Sequence, residues 1–321
     1  MPRKLVAFSD LLHAFVALLL REGSTGRIPD FFIVGASKCG TTALYTYLSQ
    51  HPSVFMPLKA PSHFSSDLRN FPQIRSRDAY LRLFAAAPKG ALIGEASGMY
   101  IYSAVAIQEV LRANPRAKII VALRKHENAV RSLHMHYRRI MWEDIEDFED
   151  AWRAQDQRAA GKALPRDCLE PAMLQYRKVY CYAEQVRRIV SVVPAKQRHF
   201  VIFEEFIKNP QRHYEDVLTF LGLPSDGRRD FPPQNVGMIF RSRTLAHLTK
   251  HSSKDSFLHS VLRKLVHAIG RNPLQALRTL NEVPVAKTEL RPEFAEELRQ
   301  YFAPDTTELE GLIGRRLQVW Y

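Results

Sequence analysis

Four short runs along the chain are almost wholly apolar: Phe31–Val34, Ala91–Gly94, Lys118–Leu123 and His199–Phe203. Longer stretches lie between and around them. Their apolar residues return at helical spacing, over about Thr42–Ser49, Ala79–Ala86, Ser103–Ala113, Glu127–Ile140, Pro171–Val192, Gln211–Leu221 and Arg291–Phe302. A strand with no polar face must be covered on both sides, and helical crossovers supply that cover. The pattern predicts an α/β fold, a doubly wound parallel sheet flanked by helices on both faces in a single domain. Residues 224–236, rich in Pro, Asp and Arg, read as a long loop. Residues 250–280 are basic and amphipathic, with Phe257, Val261, Leu265 and Ile269 on one face, and read as a helical insertion within the domain. Residues 1–29 form an N-terminal segment in which Leu5, Phe8, Leu12, Phe15, Val16 and Leu19 fall at helical spacing. Ser9, Asp10 and His13 break its apolar run, which is too short to span a bilayer. An amphipathic helix is expected there, packed on the body or resting on an anionic membrane.

The first strand feeds a particular turn, "FFIVGASKCGTTALYTYLSQHP". Gly35 ends the strand, Gly40 follows, and Thr41-Thr42 open the helix. A strand that turns through glycines into a helix aims backbone N–H groups and the positive end of the helix dipole at one spot. Gly35, Ala36, Ser37, Lys38, Cys39, Gly40, Thr41 and Thr42 are therefore the candidate phosphate cradle, and the fold class becomes P-loop-type. A Walker loop puts lysine directly after the second glycine; here Thr41 stands there and Lys38 lies inside the loop. No aspartate closes the Lys118–Leu123 strand; Arg124 does. An arginine there repels a metal ion and attracts a further phosphate, so no metal is expected and ATP or GTP hydrolysis is disfavoured. Ser132 lies eight residues beyond Arg124, and the two can converge on one anion across the crevice where such sheets bind ligands.

Charge and cysteine usage narrow the partner and the compartment. Forty-six Lys and Arg against 33 Asp and Glu give a net charge of +13, which calls for an anionic partner. No aromatic-interleaved basic motif supports nucleic acid as that partner. The three cysteines, Cys39, Cys168 and Cys181, form no CxxC or metal spacing. So sparse a set fits a reducing, cytoplasmic setting.

Loop and arginine together resemble the sulfotransferases that use 3′-phosphoadenosine 5′-phosphosulfate (PAPS). "GASKCGTTALYTYLSQHP" is similar to their 5′-phosphosulfate loop, close to that of heparan-sulfate and bacterial glycan sulfotransferases. "LRKHENAVRSLHMHY" is similar to their 3′-phosphate motif, and "GEASGMYIY", "FLGLP", "NVGMIFRSRTL" and "LRQYFAPDTTELEGLIGRRLQVW" add weaker matches. The resemblance covers residues 30–321 and implies a sulfotransferase domain of that extent. It implies that PAPS is the co-substrate and that a hydroxyl of a carbohydrate, glycolipid or related metabolite accepts the sulfuryl group. It further implies Lys38 at the leaving oxygen and Arg124 and Ser132 on the 3′-phosphate. Tyr182 and the run Arg241-Ser242-Arg243 are candidates for closing over the nucleotide.

The resemblance fails where a base is expected. Glycan-modifying relatives carry a glutamate in a Lys-Glu-Pro-like segment; here "PLKAPSHFSSD" puts Ala60 at that place. The lysine that often follows the glutamate of the "GE" motif is replaced by Ala96. His63 and Glu95 are the groups left to take the acceptor's proton. Two other readings stay open: a non-catalytic protein that binds PAPS or an anionic glycan, and a kinase-like phosphoryl transferase. The second needs a magnesium-binding carboxylate near the loop, which the sequence does not offer.

Overall fold

A computed structural model describes residues 26–234, 238–240, 282–284 and 290–321. The N-terminal segment 1–25, the run Arg241-Ser242-Arg243 and the basic stretch 250–280 lie outside the described residues. Five strands form one parallel sheet: β1 (Phe31–Gly35), β2 (Val54–Phe55), β3 (Leu92–Ala96), β4 (Lys118–Leu123) and β5 (Arg198–Ile202), in the order β2-β3-β1-β4-β5. β1 is wholly buried at its centre. Its Phe31 fills the space over Gly94, where even a Cβ would collide with the ring. That contact fixes the register of β1 against β3, which pairs Phe31 with Gly94.

Helices flank the sheet: α1 (Thr41–Leu48), α2 (Arg77–Arg82), α3 (Ala106–Ala113), α4 (His126–Arg139), α5 (Phe148–Arg153), α6 (Gln155–Ala159), α7 (Tyr176–Val179), α8 (Tyr182–Val192), α9 (Phe203–Lys208), α10 (Pro210–Leu221) and α11 (Pro292–Ile313). A short antiparallel pair, β6 (Met238–Phe240) and β7 (Glu282–Pro284), stands apart from the sheet.

The helix expected over Ala79–Ala86 is found over Arg77–Arg82, and two other stretches depart further from expectation. The stretch Pro171–Val192 is not one helix but a 3-10 turn over Pro171–Leu174, then α7, then α8. The backbone leaves the helix at Gln175 and again at Tyr180-Cys181. Outside partners take the freed groups: the Gln155 side chain accepts from Arg177 N at 2.8 Å, and Asp305 accepts from Tyr182 N at 3.0 Å and Ala183 N at 3.1 Å. α11 runs past Phe302 to Ile313 with Pro304 inside it. Proline removes one helical hydrogen bond, yet the buried Phe302, Thr306 and Leu309 keep the helix against the body on both sides of it.

Candidate anion-binding site

The turn after β1 is held in an unusual shape from three directions. Lys38 has φ 63° and Gly40 φ 89°, both left-handed. Such a conformation in a lysine persists only where neighbours enforce it. Ala36 N donates to Ala122 O at the end of β4, at 2.5 Å. The Tyr180 hydroxyl donates to Ser37 O at 2.9 Å, and Arg124 Nη1 donates to Lys38 O at 3.2 Å. A Cβ at Gly40 would come within 2.8 Å of the Phe203 ring, so only glycine fits there.

What the turn presents is an uncapped helix start. Gly40 offers α1 no side-chain cap, and its first turn holds no acidic residue. The first N–H groups of α1 therefore face out of the helix with no carboxylate from its own first turn to meet them. Thr41 is buried, while Ser37, Lys38 and Thr42 are half-buried at the crevice. Arg124 leaves β4 beside the turn, with its guanidinium 4.5 Å from the centre of the Phe203 ring. Its Nε is buried and has no hydrogen-bond partner among the described residues. A donor left unspent at that depth is costly unless a ligand meets it. This is the observation that a phosphorylated group fits. Ser132 stands half-buried on α4, two turns beyond Arg124.

The structure adds residues that the sequence did not single out. Lys59, on the segment between β2 and α2, donates from Nζ to Thr42 Oγ1. Burial, then the nearby Lys38 charge, pulls the Lys59 ammonium down to about 8. Lys38 is itself lowered, by burial first and then by Arg139 and Arg124. His136 is pushed down to about 3 by burial and by Lys38, Arg139 and Lys59. His136 and Arg139 follow Ser132 at four and seven residues on α4, the spacing of one helix face. That spacing was the available signal. For Lys59 the signal was its place as the lysine of the Lys-Glu-Pro-like segment, but its approach to Thr42 is set by the tertiary path of a loop.

The base candidates sit on or beneath that loop. The backbone of residues 59–64 is left-handed at Ala60 (φ 61°) and Ser62 (φ 53°). It is stitched to the end of β3: Ala60 N donates to Ala96 O at 2.7 Å, Ser62 N to Ser97 Oγ at 3.0 Å, and Phe64 N to the Tyr100 hydroxyl at 3.2 Å. His63 is half-buried, stacked on Tyr80 with ring centres 4.3 Å apart. Its Nδ1 lies 2.6 Å from Ile74 O, so Nδ1 carries the proton and Nε2 the lone pair. Burial lowers its pKa below the ordinary 6.5.

Glu95 is 0% exposed, on the interior side of the site rather than at the crevice surface. Its Oε2 accepts from the Tyr80 hydroxyl at 2.6 Å and the Tyr100 hydroxyl at 3.2 Å, and burial raises it to about 7. Through Oε2 the enclosed carboxyl holds Tyr80, on which His63 stacks. Tyr182 is also displaced from its expected place. It is 0% exposed beneath the turn, with its hydroxyl 3.3 Å from Cys39 Sγ, so it supports the cradle instead of closing over it.

Comparison with known proteins points to one family. The sulfotransferase domain family matches residues 28–259. The human bifunctional heparan sulfate N-deacetylase/N-sulfotransferase 2 is 28% identical over 211 residues, which is 63% of this chain and 23% of that protein. The membrane-associated sulfotransferase kil1 of Dictyostelium discoideum is 30% identical over 122 residues, 38% of this chain and 25% of that protein. The chain thus spans about a quarter of the length of these curated relatives. A solved sulfotransferase from Alicyclobacillus acidocaldarius is 30% identical and superposes with a TM-score of 0.66, covering 91% of this chain and 98% of that one. With its cradle and arginine on a parallel sheet, and with matches over most of its length, this chain belongs to the sulfotransferase family.

Proposed function

We propose that the protein transfers the sulfuryl group of PAPS to an acceptor hydroxyl, on a carbohydrate, glycolipid or related metabolite, and releases 3′-phosphoadenosine 5′-phosphate (PAP). The observation that carries this reading is the meeting of Arg124 with the Lys38 carbonyl, which brings a guanidinium with an unspent buried Nε beside an uncapped helix start. The N–H groups of the turn from Gly35 to Thr42 take the 5′-phosphate, and Arg124 and Ser132 take the 3′-phosphate. The acceptor oxygen attacks sulfur, the bond from sulfur to the bridging oxygen breaks, and its electron pair stays on the 5′-phosphate. Lys38 meets the charge that develops there. His63 Nε2 receives the acceptor's proton, and Glu95 orients His63 through Tyr80. The transferase unit runs over residues 30–321, with 250–280 as an insertion and 1–29 as an appended amphipathic segment. Among the described residues no helix is long and apolar enough to cross a membrane. The basic segments suit peripheral contact with anionic lipid, and the sparse cysteines suit a cytoplasmic setting.

Calorimetry without magnesium tests the nucleotide assignment. The protein should prefer PAP to AMP by roughly 2–4 kcal/mol, the worth of charge-assisted bonds to a half-buried phosphate. Arg124→Met should erase most of that preference. Equal affinity of the wild-type protein for AMP and PAP would overturn the roles given to Arg124 and Ser132. A non-catalytic PAPS binder differs in a second measurement, an acceptor screen with labelled PAPS, in which it would show no turnover.

A further inference from the structure

We propose that Lys59 binds the sulfuryl oxygens of PAPS, a role separate from that of Lys38 at the bridging oxygen. The inference rests on the sulfotransferase reading above. Lys59 is not a loose surface lysine. Its residue pairs in a parallel bridge with Ala96, the next N–H is tied to Ala96 O at 2.7 Å, and the chain turns left-handed at Ala60. This pinned backbone delivers Nζ to the Thr42 hydroxyl, in the first turn of α1. The ammonium is therefore part of the cradle.

The charges around it make the case. The groups that bear on Lys59 and on its neighbour His136 are Lys38 from the turn and Arg139 from α4, and none is a carboxylate. Lys38 in turn faces Arg139, Arg124 and the Cys39 thiol. Two half-buried ammoniums that feel each other's charge, with no acid among the described residues set against Lys59, are a cost to the empty fold. The arrangement fits a ligand that brings two adjacent negative groups. A 5′-phosphosulfate is such a ligand, a phosphate and a sulfuryl group sharing one oxygen. The N–H groups of α1 and Lys38 answer the phosphate and the bridging oxygen, which leaves Lys59 for the sulfuryl group. During transfer the sulfur–oxygen bond to the phosphate breaks, and its electron pair stays with PAP. A new oxygen–sulfur bond forms to the acceptor, whose proton goes to His63. The sulfuryl oxygens carry negative charge throughout, so Lys59 holds them in substrate and transition state alike. PAP lacks that group.

The test compares PAPS and PAP on Lys59→Met, which keeps the side-chain bulk and removes the charge. By calorimetry without acceptor, the variant should lose tenfold or more in PAPS affinity while PAP affinity stays within about twofold. Lys59→Arg should recover most of the PAPS affinity. The empty Lys59→Met protein should melt no lower than wild type, because an uncompensated charge has gone; a purely structural lysine would lower the melting temperature. Equal losses for PAPS and PAP, or no loss for PAPS, would overturn the assignment. A wild-type protein that binds neither nucleotide would instead remove the sulfotransferase reading itself.

Discussion

At the scale of single residues, the two candidate bases separate by position and by titration. His63 keeps a lone pair on Nε2 because Ile74 O holds its other nitrogen, and burial lowers its pKa from 6.5. Glu95 is fully enclosed and raised to about 7. A base must be unprotonated to act, so the rate falls as pH drops through its pKa. A His63 base places that acid limb below pH 6.5, whereas a Glu95 base places it near 7. Single-turnover rates across pH 5–8 should show the lower limb. His63→Ala should cut the chemical step about 10²–10⁴-fold with PAP affinity unchanged, and Glu95→Gln should cost less. A limb near 7 that only Glu95→Gln removes would transfer the role to the glutamate. Lys38 and Arg124 were legible in the sequence because a turn motif and a strand end fix where they stand. The burial of Glu95 and Tyr182 was not, since the local pattern of a strand or helix does not tell how deep the layer above a residue lies.

At the scale of elements, the strands were the most legible part. Lys118–Leu123 is found with the expected bounds, and the other three expected strands lie within two residues of theirs, because an apolar run bounded by turns has few alternatives. Helix ends and breaks were less so. The division of Pro171–Val192 depends on Gln155 and Asp305, partners that no local pattern reveals. Asp305 is the clasp between α11 and the body. It receives two backbone N–H groups at the start of α8, and His126 Nε2 at 2.9 Å, while the His126 ring stacks on Phe302 at 4.5 Å. Asp305→Ala strips a helix start of its acceptor and leaves buried donors without a partner. A loss of about 2–3 kcal/mol is expected. Thermal unfolding should show it as a drop of about 5 °C in Tm. An unchanged Tm would mean that the apolar packing of Leu298 and Phe302 carries the joint alone.

At the scale of the whole molecule, the chain carries a net charge of +13, and its described crevice gathers Lys38, Lys59, Arg124 and Arg139. A long-range field of that sign should speed the approach of an anionic nucleotide and be screened by salt. Stopped-flow association of PAP should slow about tenfold between 20 and 200 mM salt, with the dissociation rate little changed. A rate indifferent to salt would confine the effect of charge to direct contacts. The order of the strands carries one more consequence. β1 comes before the other four strands in the chain but lies at the middle of the sheet, and the turn after it rests on Ala122, Arg124 and Tyr180. During synthesis the residues proposed to hold the nucleotide thus emerge before the elements they rest on. Their walls arrive with β4, their floor with α7 and α8, and the clasp with Asp305. A nascent chain has no site to offer, so nucleotide cannot template its folding. It can only draw the finished protein forward by mass action, after the slow closure of these distant contacts.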